Sequence, residues 1–396
     1  MAKSIEALIE PKLLIWARDS AGYSVEEAAK KISVKPERLK SWEKGEKRPS
    51  IKQLRKIANV YKRPLSVFYL SELPKDFQPI RDFRHLPEKV TIIESPKLKF
   101  EIRRAQEQRE IALDLYEELE GKKPAFSAKA SLSEDPEQLA IRIRNLLKIK
   151  IEDQFKLKDK YEALNWWRTA LENFGVLTFQ ATGIEISEMR GFSISETPFP
   201  VVVANVKDTP YGRIFTMLHE FIHILLQEGG LCDFEETEIS PEKQSVEIFC
   251  NRVAGEILVL KSNLLKENLV LTKKQGDIWS DEEINTLSNK YKVSREVILR
   301  RLLINNYISQ KFYQLKIDEY KKKYESFEPQ PEFKIPKYKL ALSRAGKLFI
   351  KLALNNYYQE KITVSYLSDV LNLKIKYIGM VETEVMGHAI EFGAIR

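Results

Sequence analysis

The sequence predicts an α+β fold, mostly helical, in three parts: a five-helix unit at the N-terminus, an α+β domain with a small sheet, and a C-terminal helical region. Three observations carry this. Amphipathic helical patterns recur along most of the 396 residues. Three short β-like runs, Val176–Phe179, Gly191–Ile194 and Val201–Ala204, cluster in one stretch. Positive charge gathers near one end: thirteen Lys or Arg and three Glu lie between Lys30 and Arg63, an excess of ten in a chain of net charge +8.

A chain this long suggests two to four domains, and a hydrophobic content of 43% supplies their cores. We draw the boundaries at 1–75, 76–130 (a linker with a helix), 131–275 and 276–396. The two cysteines, Cys232 and Cys250, form no CxxC, which argues against a disulfide framework and for a reducing compartment. No signal-like pattern opens the chain and no apolar run approaches 18 residues, so the expectation is a cytoplasmic protein with no membrane partner.

Residues 12–70 read as five short helices. Leu13, Leu14, Trp16 and Ala17 begin the first, which Gly22 ends. Ser24-x-x-Glu27 is a capping box for the second, with Ala28, Ala29 and Ile32 facing inward. Pro36 opens the third, which runs through Arg38, Leu39 and Trp42 until Gly45 breaks it. Ser50-x-x-Gln53 caps the fourth, and Pro64 opens a short fifth. Two short helices joined by a tight turn inside a basic unit are what a helix-turn-helix requires. The segment is similar to the Xre/Cro DNA-binding domains, including its close Trp42-Glu43-x-Gly45-x-x-x-Pro49. That resemblance implies that the helix from about Lys35 to Lys44 enters the major groove. Lys35, Arg38 and Lys40 are then the base-contact candidates, and Lys44, Lys47, Arg48 and Lys52 lie nearer phosphates. A helical protein-docking module with solvated charges is the alternative, and the charge asymmetry favours DNA.

Residues 71–100 are punctuated by Pro74, Pro79, Pro87 and Pro96 and read as a linker. Phe100 to Leu119 is a charged helix with Ile102, Ile111, Leu115 and Leu119 on one side, a face suited to a neighbouring domain or a second subunit of a homodimer. Gly121 to Ser133 is a loop, and Asp135 to Ile149 is amphipathic. An aromatic helix through Trp166, Trp167 and Phe174 precedes the β-like runs.

After the third run comes Phe215-Thr216-Met217-Leu218-His219-Glu220-Phe221-Ile222-His223-Ile224-Leu225-Leu226, an apolar helix holding two histidines and a glutamate. His219 and His223 are i and i+4 and share one helical face, the spacing of two imidazole ligands to one ion. Glu220 follows the first ligand, where its carboxylate is placed to act as a base. This is the zincin H-E-x-x-H pattern. A satisfied core pair is the alternative. Yet only four histidines occur in the chain, and burying these three polar groups without a metal or partners is costly. A third ligand is needed. Glu247, Asn251, Ala254 and Leu258 recur on one face of a helix starting near Pro241, so Glu247 is a candidate. Glu235, Glu236 and Glu238 compete from a polar segment with no apolar face.

Arg213-x-Phe215-Thr216-x-Leu218-His219-Glu220-x-x-His223, followed by Glu247-x-x-x-Asn251-x-x-Ala254, resembles the ImmA/IrrE family of bacterial metallopeptidases over about residues 130–270. Val201-Val202-Val203-Ala204-Asn205 is similar to that family's strand before the metal helix. The resemblance implies a zincin-like α+β peptidase domain with Glu247 as third ligand, Zn2+ as cofactor (Mn2+ the alternative) and Glu220 as the catalytic residue. Four positions depart from the family pattern: Ile222 replaces a small residue, Cys250 an Ala, Val253 a Phe and Leu260 a Pro. Ile222 is expected to narrow a substrate cleft. Beyond Gly276 the texture is helical. Val293-Ser294-x-x-x-Ile298-x-x-Arg301-Leu302 is similar to a helix-turn-helix-like unit that follows this domain in the family. Tyr338 to Met380 is a last module with Leu348, Leu352 and Leu354 apolar. His85 and His388 lack ligand-spaced companions.

Together these readings describe a cytoplasmic transcriptional regulator that binds DNA and carries a zinc-dependent peptidase domain. Its partner would be a protein substrate such as a repressor, in stress response or mobile-element excision. The alternative is a non-proteolytic antitoxin or repressor that binds DNA and a partner toxin.

Overall fold

The computed structural model describes residues 5–74, 95–122, 125–227, 231–232, 241–274, 276–325 and 336–387. Four features read from the sequence lie outside these residues: His85, His388, the glutamates at 235, 236 and 238, and most of the proline-punctuated linker. The chain divides into two units, one of residues 1–80 with 88–104, the other of residues 81–87 with 105–396.

The first unit contains α1 (Pro11–Ser20), α2 (Val25–Ile32), α3 (Pro36–Glu43), α4 (Ile51–Tyr61) and a 3-10 turn at Leu65–Tyr69. These are the five expected helices, the fifth wound more tightly. Both capping boxes form: Ser24 Oγ accepts from the Glu27 amide and Ser50 Oγ from the Gln53 amide, with each N3 side chain reaching back. Each cap satisfies amides that a helix start leaves without an internal partner. Leu14, Ala17, Leu39, Trp42, Leu54 and Phe68 are core residues here. Arg18 Nε donates to Glu43 Oε1 at 2.7 Å, tying α1 to α3. Gly45 takes φ +75°, a conformation that suits glycine, and so ends α3.

α5 (Pro96–Glu120) begins one turn earlier than its apolar pattern, because Pro96 fits a first helical turn and Ser95 Oγ accepts from the Leu98 amide. Within the first unit Arg103 donates to the carbonyls of Tyr61 and Lys62.

The second unit runs α6 (Pro136–Leu146), α7 (Ile151–Lys156), α8 (Lys160–Asn173), β1 (Leu177–Ala181), β2 (Gly191–Ile194), β3 (Val201–Asn205), α9 (Pro210–Leu226), β4 (Leu231–Cys232) and α10 (Pro241–Leu258). Then follow α11 (Lys261–Leu264), α12 (Asn268–Leu271), α13 (Asp281–Tyr291), α14 (Arg295–Ile304), α15 (Gln310–Glu325), α16 (Lys337–Ala345), α17 (Lys347–Tyr358), α18 (Val364–Val370) and α19 (Ile378–Met386). The sheet order is β1-β3-β2-β4, with β1 parallel to β3 and the other pairs antiparallel. The three expected strands are present, and the two-residue β4 adds a fourth. Successive strand residues face opposite sides. Val202 and Ala204 join the core that contains α9, whereas Phe179 packs edge-on against Phe349 of α17.

One apolar cluster extends from Leu139 to Tyr320 and includes Trp279, Ile284, Leu287 and Leu302. The boundary drawn at 275–276 falls inside it, since α13 and α14 bury their apolar faces in the same core. α10 packs against both α6 and α9, and a buried polar clamp holds its C-terminal end. Arg144 Nη1 donates to the Ile257 carbonyl at 2.6 Å, Gln154 Nε2 to the Leu258 carbonyl at 3.0 Å, and Arg301 Nε to the Val259 carbonyl at 3.0 Å. Carbonyls at a helix end lack internal partners and favour cations, so this clamp fixes the helix on which Glu247 sits. Among the described residues no helix is long and apolar enough to cross a membrane.

Candidate functional site

α9 starts at Thr209, whose Oγ1 accepts from the Gly212 amide at 3.0 Å, and has Pro210 in its first turn. Its apolar residues bury it nearly all round, and Thr216, His219, Glu220 and His223 go in with them at 0–1% exposure. His219 and His223 turn their Nε2 atoms towards each other, 3.0 Å apart. Glu247, on α10, places Oε2 at 3.2 Å from His219 Nε2 and Oε1 at 3.3 Å from His223 Nε2. A tetrahedral ion with bonds of 2.0–2.1 Å to nitrogen and oxygen needs donors roughly 3.3 Å apart. The three side chains have that spacing and can hold a metal ion.

The electrostatics agree with a donor set. Burial lowers the pKa of His219 below the ordinary imidazole value, so the ring stays neutral and keeps a lone pair. Burial alone would raise Glu247. The two imidazoles beside it outweigh burial and hold this carboxyl well below the usual range. Asn251, one turn along α10 from Glu247, is buried on the same face of the helix. Cys250 is a free thiol beside His223, and burial pushes its pKa up, so it is protonated at neutral pH.

Glu220 projects towards β2. Ser193 Oγ donates to Glu220 Oε2 at 2.8 Å, which fixes the carboxylate in the strand–helix gap. Gly191 allows that approach: a Cβ there would lie 2.3 Å from Thr216 Cγ2 and 3.6 Å from Glu220 Cγ. Ile222 is fully buried in the core cluster, so its bulk fills packing space. Ser193 escaped the sequence reading. Its only signal is a lone hydroxyl in the apolar run Gly191–Ile194. Asn251 was legible as part of a face.

All seven expected DNA-contact residues, Lys35, Arg38, Lys40, Lys44, Lys47, Arg48 and Lys52, are solvent-exposed in the first unit. Lys35 is the N-cap residue of α3, and the Arg38 guanidinium lies 5.7 Å over the Trp42 ring. Lys40 Nζ is 3.3 Å from Glu26 and Lys44 Nζ 4.0 Å from Glu46, both pairs at the surface where they are weak. Leu39 and Trp42 face inward from the same helix, leaving the basic residues outward.

Two family models match the chain. Residues 171–303 match the IrrE N-terminal-like domain of peptidase family M78, and residues 14–68 match a helix-turn-helix. No curated protein and no solved structure matches it. The M78 match spans both ligand-bearing helices, and the helix-turn-helix match spans α2 and α3. The chain thus joins a helix-turn-helix domain to an IrrE N-terminal-like domain of the kind found in peptidase family M78.

Proposed function

We propose that this protein is a cytoplasmic DNA-binding regulator whose M78 domain is a zinc peptidase that cuts a protein partner such as a repressor. The observation that carries the reading is the buried group of His219, His223 and Glu247 with Glu220 next to the first histidine. His219 Nε2, His223 Nε2 and the Glu247 carboxylate would hold the ion. A bound zinc ion supplies Lewis acidity, polarising a scissile carbonyl and acidifying water. Ser193 orients Glu220 through Oε2, and Glu220 Oε1 takes a proton from the attacking water and passes it to the leaving amine. DNA reading then falls to Lys35, Arg38 and Lys40 in the first unit and hydrolysis to the second.

A second reading is a non-proteolytic antitoxin or repressor that binds DNA and a partner toxin. Full burial of His219 and Glu220 favours it, because a closed site suits a structural metal. Metal analysis beside a proteolysis assay on proteins encoded at the same locus decides. Glu220→Gln keeps every ligand, so metal content should survive while hydrolysis falls roughly 10²–10⁴-fold. His219→Ala, His223→Ala and Glu247→Ala should each lose most metal, and Glu236→Ala should not. Full metal content in Glu247→Ala would move the third ligand to residue 235, 236 or 238. A cellular phenotype unchanged by Glu220→Gln and abolished by Arg38→Ala would favour the second reading.

A further inference from the structure

Between α10, α14 and α15 lies a cavity of about 420 Å3, within the size range of ligand sites. Its walls include Ile248, Asn251 and Arg252 from α10, Arg300 and Leu303 from α14, and Tyr313 from α15. Ile248 and Arg252 are i and i+4, as Glu247 and Asn251 are. The two pairs are offset by one residue, or about 100° around the helix. The face that presents Glu247 to the histidines thus lies about a quarter-turn from the face that lines the cavity, and Asn251, one turn along from Glu247, is part of the lining.

The lining chemistry is directional. Ile248 and Leu303 supply apolar wall, while Arg252 and Arg300 supply two guanidinium groups, and no acidic residue lines the cavity among the described residues. Arg300 Nη2 lies 3.4 Å from Tyr313 Oη and 4.0 Å from Glu296, and Arg252 is solvent-exposed. A planar guanidinium matches a carboxylate in a paired hydrogen-bond geometry, and such bonds to charged groups are the strong ones.

We propose that this cavity is the side-chain subsite beside the metal-binding residues, and that it takes a Glu or Asp residue of a protein substrate. The assignment rests on the peptidase reading above and adds to it the substrate class.

The test uses the metal-loaded full chain with peptide libraries in which one position at a time is Glu, Gln, Leu or Lys, cleavage being read by mass spectrometry. Binding of the same peptides, fluorescein-labelled, to the Glu220→Gln protein is read in parallel by anisotropy. At one position near the cut, Glu should exceed Gln by roughly tenfold to a hundredfold in both readouts. Arg252→Ala should level that preference and Arg252→Glu should invert it towards Lys, with metal content unchanged. Cleavage without acidic preference, or a preference that survives both Arg252→Glu and Arg300→Gln, overturns the subsite. If no peptide is cut, the peptidase reading fails, and the binding arm still decides. Acidic peptides held no tighter than Lys peptides overturn the subsite; selective binding that Arg252→Glu inverts upholds it as a protein-docking pocket.

Discussion

The α2–α3 turn and the α13–α14 turn share one backbone. Each first helix ends on a residue in the left-handed region, Ser33 at φ 63° and Lys292 at φ 54°. A valine follows, and its amide donates back five residues: Val34 to the Ala29 carbonyl at 2.9 Å, Val293 to the Ser288 carbonyl at 3.1 Å. This is the Schellman closure, and in both places the next residue, Lys35 or Ser294, stands at the N-cap position of the second helix, where Ser294 also accepts from the Val297 amide. The second helices then part company. α3 buries Leu39 and Trp42 and leaves Lys35, Arg38 and Lys40 in solvent. α14 buries Val297, Ile298, Leu299, Arg301 and Leu302, which leaves no broad outward basic face to enter a groove. Of its arginines, Arg301 works inward, paired with Glu256 and bonded to the Val259 carbonyl. A helix–turn–helix backbone fixes how two helices meet. What covers the second helix decides whether it stays open to a partner or braces a core.

The comparison is broken most severely at Arg301. It is 1% exposed and its partner Glu256 is 4% exposed. Arg301→Ala leaves Glu256 as a buried charge without its main cation and frees the end of α10, so the second unit should lose about 3–5 kcal/mol. Urea denaturation followed on the unit that carries His219, His223 and Glu247 measures it, and retention of any bound metal should weaken as α10 loosens. Pairing Arg301→Met with Glu256→Gln removes both charges and should recover much of the loss. A cost below about 1 kcal/mol for Arg301→Ala would mean that α14 is not a brace.

Arg38→Ala, at the other turn, should leave stability within about 0.5 kcal/mol because the residue is exposed. It should instead cost roughly 1–3 kcal/mol of discrimination between operator and mutated operator, read in a competition binding assay. An Arg38→Ala protein that unfolds early yet still discriminates would invert the comparison.

How much of this was legible follows from how local each signal is. The capping boxes of α2 and α4, Pro36, Gly45 and the i, i+4 histidines act within one or two turns, and each element formed where its residues stand. Val201–Val203 announces a strand by its β-branched run. β4 carries no such run: two residues become a strand only because β2 offers an open edge, and that pairing links Phe192 to Leu231. The clamp on α10 was hidden for the same reason, since Arg144 and the Ile257 carbonyl are 113 residues apart. Glu247 stood out because an amphipathic face led to it. Ser193 did not, because a hydroxyl in a strand has many ordinary partners, and only the packing of β2 on α9 selects Glu220.

The smallest effect sharpens the comparison within the DNA-binding unit itself. Lys52 sits in the first turn of α4, exposed, away from the helix expected in the groove. A lysine that meets only phosphate neutralises one charge and releases counterions whatever the sequence, so its loss weakens all DNA alike. Lys52→Ala should therefore leave the ratio of specific to non-specific affinity unchanged while the slope of log K against log salt falls by about 0.9. The measurement is a salt titration of the full-length chain on operator and on unrelated duplex. A slope that stays the same would remove Lys52 from the phosphate contacts, and a changed ratio would make it a base reader. Binding indifferent to salt on both duplexes would take the basic face of α3 and α4 out of DNA recognition. The two turns would then differ only in exposure.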